Sequence, residues 1–213
     1  LPTRRQRQMC IRDRYVTELA ATLAFSATKN NDKVGLILFS DNVELYIPPK
    51  KGKSHVLRII RELLEFKSKS KKTEINVPLK FVSNILKNRS IAFIISDFIS
   101  KDYSNSLKIF SSKHDVTGIR IYDQTEEIIP NLGVIDINDN ETGQWLTVNT
   151  GSKIVRKKYA EYYNLKRMEF TENFKMSGSG IIECNTQDDY QKKLLKYLKS
   201  RWEYYLSLIH IYE

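Results

Sequence analysis

The sequence predicts an α/β fold with a mostly parallel sheet, and two features of its hydrophobic pattern support that prediction. Three largely apolar runs have the length of strands buried on both faces, and segments with the apolar period of amphipathic helices separate them. The runs are VGLILF at 34–39, SIAFIISDF at 90–98 and VTGIRIYD at 116–123. Strands that alternate with helices pair in parallel through right-handed crossovers.

The helices around these strands are predicted from apolar residues that recur every three or four positions. The first helix runs from Tyr15 to Lys29 and ends at the Asn-Asn-Asp sequence that follows. Others are expected at about 54–66, 75–86, 103–112, 152–176 and 187–202. The helix at 152–176 carries six apolar or aromatic residues on one face: Ile154, Val155, Tyr159, Tyr162, Leu165 and Met168.

Two segments predict antiparallel pairing. VELYI at 43–47 alternates apolar and polar residues before Pro48 and Pro49, which indicates a hairpin partner at a sheet edge. Beyond Pro130, VIDIN and QWLTVN flank the turn-forming DNETG, so we expect a second hairpin that extends the sheet edge.

Composition indicates an ordinary soluble domain. The 213 residues fit one domain, and no apolar run approaches the roughly 18–20 residues that span a bilayer. Cys10 and Cys184 have no second Cys or His at zinc-ligand spacing and form no dense disulfide framework. We therefore expect a cytoplasmic protein without a membrane span.

The net charge of +10 suggests nucleic-acid binding, but its distribution argues against it. Residues 1–14 carry +4 of that charge, and the remaining +6 is spread among helices that also contain Asp and Glu. Residues 1–14 and the tail 207–213 resemble translated sequencing-adapter read-through, so the predicted domain is 15–206. The alternatives are a basic targeting arm at 1–14, or a nucleic-acid-binding protein whose salt-sensitive binding survives removal of those residues.

Candidate site residues follow from the rule that ligands bind at the carboxyl ends of parallel strands. Asp97 ends an apolar strand, Ser40 and Asp41 end another, and Thr73 lies just before a helix. A hydroxyl and a carboxylate are oxygen ligands of the kind that magnesium prefers. The plainer alternatives are a helix cap for Thr73 and turn formation for Asp97, Ser40 and Asp41.

Signatures of enzymes are absent from the sequence. It has no Gly-x-Ser-x-Gly, no Walker A loop and no complete Gly-x-Gly-x-x-Gly. Surface positions are expected for His55, His114 and His210. A metal-dependent phosphoryl-transfer enzyme using Asp97 is a weaker alternative, because it would need a phosphate-binding loop.

Four segments carry a resemblance to a known family: NNDKVGLILFSDNVELYIPPKKGKSHVLRIIRELL, KKTEI, AFIISDF and HDVTGIRIYDQTEE. Together they resemble the bacterial domain-of-unknown-function family 58, a von Willebrand factor A-like group, from about residue 15 to residue 201. The resemblance implies a doubly wound, Rossmann-type sheet with a metal-ion-dependent adhesion site. Such a site combines Asp-x-Ser-x-Ser on the first strand with a Thr and an Asp that Thr73 and Asp97 match.

The Asp-x-Ser-x-Ser element is not found, so the resemblance implies that the first, central strand is missing. We expect Mg²⁺ or Mn²⁺ in the intact protein, no metal bound by this chain, and poor stability, since neighbouring strands would lose their partner. The family further implies a non-enzymatic protein-interaction module that works with a MoxR-type AAA+ ATPase in the assembly or activation of other proteins. Nucleic acid is not expected as a partner.

Overall fold

The computed structural model describes residues 4–70, 72–123, 127–138 and 145–209. Within these ranges, side chains are described from residue 11 to 136 and from 145 to 201. The helices are α1 (Arg4–Lys29), α2 (Lys53–Glu65), α3 (Asn76–Ile85), α4 (Ser104–Lys113), α5 (Lys153–Met176) and α6 (Tyr190–Ile209). The strands are β1 (Val34–Phe39), β2 (Val43–Lys50), β3 (Ile91–Ser96), β4 (Asp115–Tyr122), β5 (Val134–Asn138), β6 (Trp145–Asn149) and β7 (Gly180–Asn185).

A parallel sheet of three strands forms the centre, in the order β3-β4-β7. In its register Ile91 pairs with Asp115, and Thr117 pairs with Gly180. The helical segments that connect these strands allow the parallel pairing, as the alternating apolar pattern predicts. The mixed α/β class and the parallel pairing are confirmed.

Helices pack against both faces of this sheet, because successive strand residues point to opposite sides. Val116 of β4 belongs to a core with α3, α4 and α5, whereas Ile119 and Ile121 of the same strand pack with α1 and α6. This coverage on both sides explains why β4 is buried almost throughout: six consecutive residues from Val116 are buried, Thr117 and Arg120 among them.

A separate antiparallel pair, β1 with β2, confirms the first predicted hairpin. The expectation that VGLILF is buried on both faces was wrong, since most of β1 is only half-buried. The physical reason is that β1 pairs with β2 along one edge, while no described strand pairs with its other edge. The outer edge of β3 is likewise unpaired within the described residues.

The hairpin of β5 and β6 is also present, with Ile135 opposite Val148. It forms a two-stranded sheet of its own, so the expectation that it extends the edge of the main sheet was wrong. Its outward residues are highly exposed: Val134 by 65% and Trp145 by 70%.

The predicted helix and strand bounds agree with the structure to within a few residues, except at the first and last helices. α1 begins at Arg4 rather than Tyr15, and α6 extends to Ile209. The predicted domain limits of 15–206, with terminal segments 1–14 and 207–213, stay a prediction, and residues 210–213 lie outside the described residues.

Candidate functional site

The segment containing Thr73 joins the carboxyl ends of β1 and β3. The Glu74 amide donates to the carbonyl of Ser40, which follows β1, at 2.9 Å. The next amide, of Ile75, donates to the hydroxyl of Ser100, beyond β3, at 3.3 Å. These two hydrogen bonds place Thr73 beside the ends of two strands that are not paired with each other.

A second contact fixes the loop that leads to Thr73. The Glu44 carboxylate of β2 accepts hydrogen bonds from the Ser68 hydroxyl at 2.7 Å and from the Lys69 amide at 2.8 Å. Hydrogen bonds to an ionised carboxylate are charge-assisted and therefore strong. Glu44 thus holds this loop to the hairpin of β1 and β2.

Thr73 does not cap the helix that follows it. The residue before α3 is Ile75, whose side chain makes no capping hydrogen bond, and the first helical amide, of Asn76, donates to Glu74 Oε1 at 3.4 Å. Thr73 is half-buried, and within the described chain its hydroxyl makes no hydrogen bond. The helix-cap alternative is therefore not supported.

Asp97 follows β3 directly and shapes the turn there. Its Oδ1 accepts a hydrogen bond from the Ile99 amide at 3.2 Å, and the Ser96 hydroxyl lies 3.5 Å from the same oxygen. The turn-forming alternative for Asp97 is thus realised, which leaves its Oδ2 directed to other contacts.

The residue after Asp97 has an unusual backbone conformation. Phe98 adopts φ 58°, a left-handed conformation that costs a bulky L-residue roughly 1–2 kcal/mol. Its ring is 2% exposed and packs against Phe170 and Phe174, with centroids 4.4 and 5.2 Å away. Burial of the ring offsets the backbone strain and holds Asp97 at the end of the strand.

The Asp97 carboxylate faces a cation from α1. Arg12 Nη1 lies 3.6 Å from Asp97 Oδ2, and both side chains are 30% exposed. A pair this exposed contributes at most about 1 kcal/mol. Arg12 belongs to the segment 1–14, so this contact depends on residues predicted to be non-native.

Ser40 and Asp41 form a turn between β1 and β2. The Ser40 hydroxyl donates to Asp41 Oδ1 at 3.2 Å, and the Ser40 amide donates to the Asn42 carbonyl at 2.9 Å. The structure therefore brings the Thr73 segment to Ser40, while Asp41 is engaged in its own turn.

The described residues do not supply a complete metal site. Among them, no group of three or more His, Cys, Asp or Glu residues is placed to hold an ion. Magnesium requires near-octahedral oxygen coordination, and Thr73 with Asp97 offers one hydroxyl and one carboxylate. These two residues fit only part of such a shell.

One titratable residue lies inside the protein instead of at the predicted surface position. His114, expected at the surface, is 3% exposed, and burial lowers the pKa of its imidazole, with a further contribution from the Lys113 charge. His114 joins α4 to β4, and its ring packs on Phe110 with centroids 4.6 Å apart. No signal in the sequence distinguishes this junction from an exposed one.

The comparison of sequences decides the family. Residues 4–169 match the family described as protein of unknown function DUF58. The chain belongs to this family. Because the match covers more than half of the sequence, DUF58 membership extends from α1 into α5.

Curated uncharacterized proteins from mycobacteria are similar to this chain. It is 18% identical over 185 residues to the uncharacterized protein Rv1480 of Mycobacterium tuberculosis, which covers 85% of this chain and 58% of that protein. It is 24% identical over 116 residues to the uncharacterized protein MAV169 of Mycobacterium avium, covering 54% and 68%. The chain therefore spans somewhat more than half of the length of Rv1480.

Two solved structures share the fold. One is an aerotolerance-related membrane protein from Bacteroides fragilis, with a TM-score of 0.55, 17% identity and 88% of each chain covered. The other is the conserved hypothetical protein BatB from Bacteroides thetaiotaomicron, with a TM-score of 0.54, 14% identity, and 90% and 86% covered. In the described part of the present DUF58 chain, no helix has the length and apolarity needed to cross a membrane.

Proposed function

We propose that this DUF58 chain is a non-enzymatic protein-interaction module built on a von Willebrand factor A-like, doubly wound sheet, with part of a metal-ion-dependent adhesion site at Thr73 and Asp97. The supporting observation is the pair of hydrogen bonds that draws the Thr73 segment to the carboxyl ends of both β1 and β3. Asp97 ends β3 at the same edge.

The edges of β1 and β3 that no described strand pairs with support a completed form of this site. β1 is half-buried along an apolar sequence, and both faces of β3 pack against helical cores through Phe93 and Ile94. A strand covered on both faces normally has partners on both edges, because unpaired buried amides and carbonyls are costly. One further strand between β1 and β3 satisfies both edges and joins the two sheets.

In the proposed protein, that central strand carries the Asp-x-Ser-x-Ser element. Its oxygens would complete the shell to which Thr73 and Asp97 contribute, for Mg²⁺ or Mn²⁺ as the resident ion. A hard ion held this way supplies an open coordination position that an acidic side chain of a partner can fill. The chain's own residues orient the ligands: Phe98 anchors Asp97, and Glu44 holds the Thr73 loop.

The partner class follows from the family resemblance. A MoxR-type AAA+ ATPase is the proposed partner, and the proposed process is assembly or activation of other proteins in the cytoplasm. Binding in this scheme depends on the metal and on an acidic residue of the partner.

Calorimetric titration with Mg²⁺ and Mn²⁺ tests the site. Two proteins are compared, this chain and a version extended by a family-like first strand that ends in Asp-x-Ser-x-Ser. We expect binding only by the extended protein, with loss of binding in its Asp97→Asn and Thr73→Val variants.

Asp32→Asn is the matched control, because Asp32 is an exposed carboxylate that precedes β1 at the opposite end of the strand. It should leave metal affinity unchanged. Tight metal binding by the chain as it stands would contradict the assignment, and so would equal losses in Asp97→Asn and Asp32→Asn. Absence of binding by both proteins would make the domain a metal-free scaffold.

A further inference from the structure

The hairpin of β5 and β6 presents one exposed face that is partly apolar. Residues that lie opposite each other in an antiparallel pair, and every second residue along a strand, point to the same side. By this rule and the register of the pair, one side carries four exposed residues, which we call the hairpin face: Val134, Asp136, Trp145 and Thr147. A two-stranded hairpin on its own is marginally stable in water, so a covering partner would stabilise this one.

The helix that follows the hairpin presents a second exposed apolar surface. Spacings of three and four residues place five exposed side chains of α5 on one side, which we call the helix face: Ile154, Lys158, Tyr162, Leu165 and Met168. The opposite side of α5 is anchored in the core by Phe170 and Phe174. Contiguous exposed apolar patches of this kind mark interaction surfaces.

The two surfaces carry opposite charge. The segment 128–152, which contains the hairpin, has three acidic residues and no Lys, Arg or His. The helix α5 has seven Lys or Arg residues and three Glu residues, a net charge of +4. Opposite potentials favour contact between two surfaces and select against wrong partners. Both surfaces are exposed within one copy of the chain, so their complementarity is available to a second copy.

Each face has one charged residue among its apolar ones. Asp136 lies between Val134 and Trp145 on the hairpin face, and the Thr147 hydroxyl donates to its Oδ1 at 2.6 Å. An ionised carboxylate can accept further hydrogen bonds, which an ammonium group can donate.

Lys158 supplies such an ammonium group on the helix face. It is exposed and lies four residues after Ile154 and four before Tyr162, so apolar side chains flank it as they flank Asp136. A contact between the two faces therefore joins apolar side chains around one ion pair.

We propose that two copies of this chain form a symmetric dimer in which the hairpin face of each copy packs on the helix face of the other. A two-fold interface of this kind is self-complementary, so every contact is made twice. The proposal is independent of the metal site, because neither face includes a residue of β1, β3 or the Thr73 loop.

Sedimentation velocity of the full chain over a range of protein concentrations tests the dimer. We expect a reversible monomer–dimer equilibrium. Truncation of a central interface residue commonly weakens binding strongly, and each change acts twice here, so Trp145→Ser and Leu165→Ser should each raise the dissociation constant about thirtyfold or more. Leu64→Ser is the matched control, because Leu64 of α2 is 71% exposed and belongs to neither face. It should leave the dissociation constant unchanged.

An exchange of charges shows whether the contact is made between copies. Asp136→Lys places two cations opposite each other and Lys158→Glu places two anions, so each variant alone should dimerise about tenfold or more weakly. A mixture of the two variants should form a heterodimer, since both of its contacts then join opposite charges. Asp32→Lys makes the same charge change at an exposed position outside both faces, and its dimerisation should be unaffected.

Four results would overturn the proposal. A monomer at every concentration would leave both faces without a second copy, and growth beyond the dimer would refute the closed two-fold arrangement. Association that Trp145→Ser and Leu165→Ser leave unchanged would place the interface elsewhere, for example at the edges of β1 and β3. Failure of the mixed Asp136→Lys and Lys158→Glu variants to associate would refute the pairing of the two faces.

Discussion

Replacing Gly118 by alanine tests how tightly the aromatic core is packed against the central strand. The added Cβ would lie 2.5 Å from Phe174 Cε1, 2.6 Å from its Cζ and 2.9 Å from Phe170 Cε2. Favourable carbon contacts lie near 3.5–4.0 Å, so the new methyl overlaps both rings by about 1 Å.

The two rings have little space into which they can retreat. Phe170 and Phe174 are both fully buried, and their tilted rings pack against each other with centroids 4.9 Å apart. Overpacking of a core costs typically 1–3 kcal/mol, and we expect the upper end of that range because two constrained rings must move together.

Urea unfolding of Gly118→Ala measures this cost. A loss of about 3 kcal/mol lowers the midpoint by about 1 M or more, since urea m-values are about 1–3 kcal/mol/M. In the double variant Gly118→Ala/Phe174→Leu, the smaller side chain should relieve the overlap, so the two changes should destabilise less together than their sum.

Gly133→Ala is the control for this cycle. Gly133 has φ +74° with nothing near the Cβ position, so alanine there costs only backbone strain. Phe174→Leu should not relieve that cost. An unchanged midpoint for Gly118→Ala, or strict additivity with Phe174→Leu, would refute the packing argument.

Two further predictions concern stability. The chain should unfold at a low temperature or aggregate on heating, because no described strand pairs with the second edge of β1 or of β3 and the backbone groups there lack strand partners. A cooperative calorimetric melt at an ordinary temperature would contradict this. The second concerns acid stability: burial alone would raise the pKa of Asp188, but hydrogen bonds from the Lys193 ammonium and the Asn185 amide lower it. The ionised Asp188 carboxylate therefore contributes to folding stability above its unfolded pKa of about 3.9. That contribution is lost as the pH falls through the lower pKa of the folded state. Asp188→Asn should flatten the acid side of a plot of urea midpoint against pH, and an unchanged slope would exclude the mechanism.

The sequence pattern predicted the local elements well because the apolar period of each segment is visible in the order of residues. The apolar run at 34–39 became β1 with the predicted bounds, and the helical period at 75–86 became α3. Pairing was predicted less well: nothing within VIDIN or QWLTVN states whether their hairpin joins another sheet.

The apolar period did not predict which residues are buried. Ile154, Leu165 and Met168 share a face of α5 as predicted, yet they are 69%, 54% and 58% exposed. A period tells which residues lie on one side of a helix, not whether another element covers that side. His114 is the opposite case, because tertiary packing at the start of β4 buries a residue with no apolar period.

In the candidate site, Asp97 follows β3, and hydrogen bonds hold the two residues after Thr73 to the segments that follow β1 and β3. The hydrogen bonds from Glu74 to Ser40 and from Ile75 to Ser100 could not be predicted, since they join residues 25 or more positions apart. The roles of Thr73 and Asp97 as metal ligands remain predictions that the titrations above address.

The left-handed turn at Phe98 couples the position of Asp97 in the candidate site to the packing of α5. Asp97 and Phe98 share a peptide unit, and the Phe98 ring is wedged between the aromatic side chains of α5. Because cores are close-packed, Asp97 can shift only if that wedge also moves. A ligand that binds the carboxylate and shifts it is thereby coupled to α5, whose exposed face carries Leu165 and Met168.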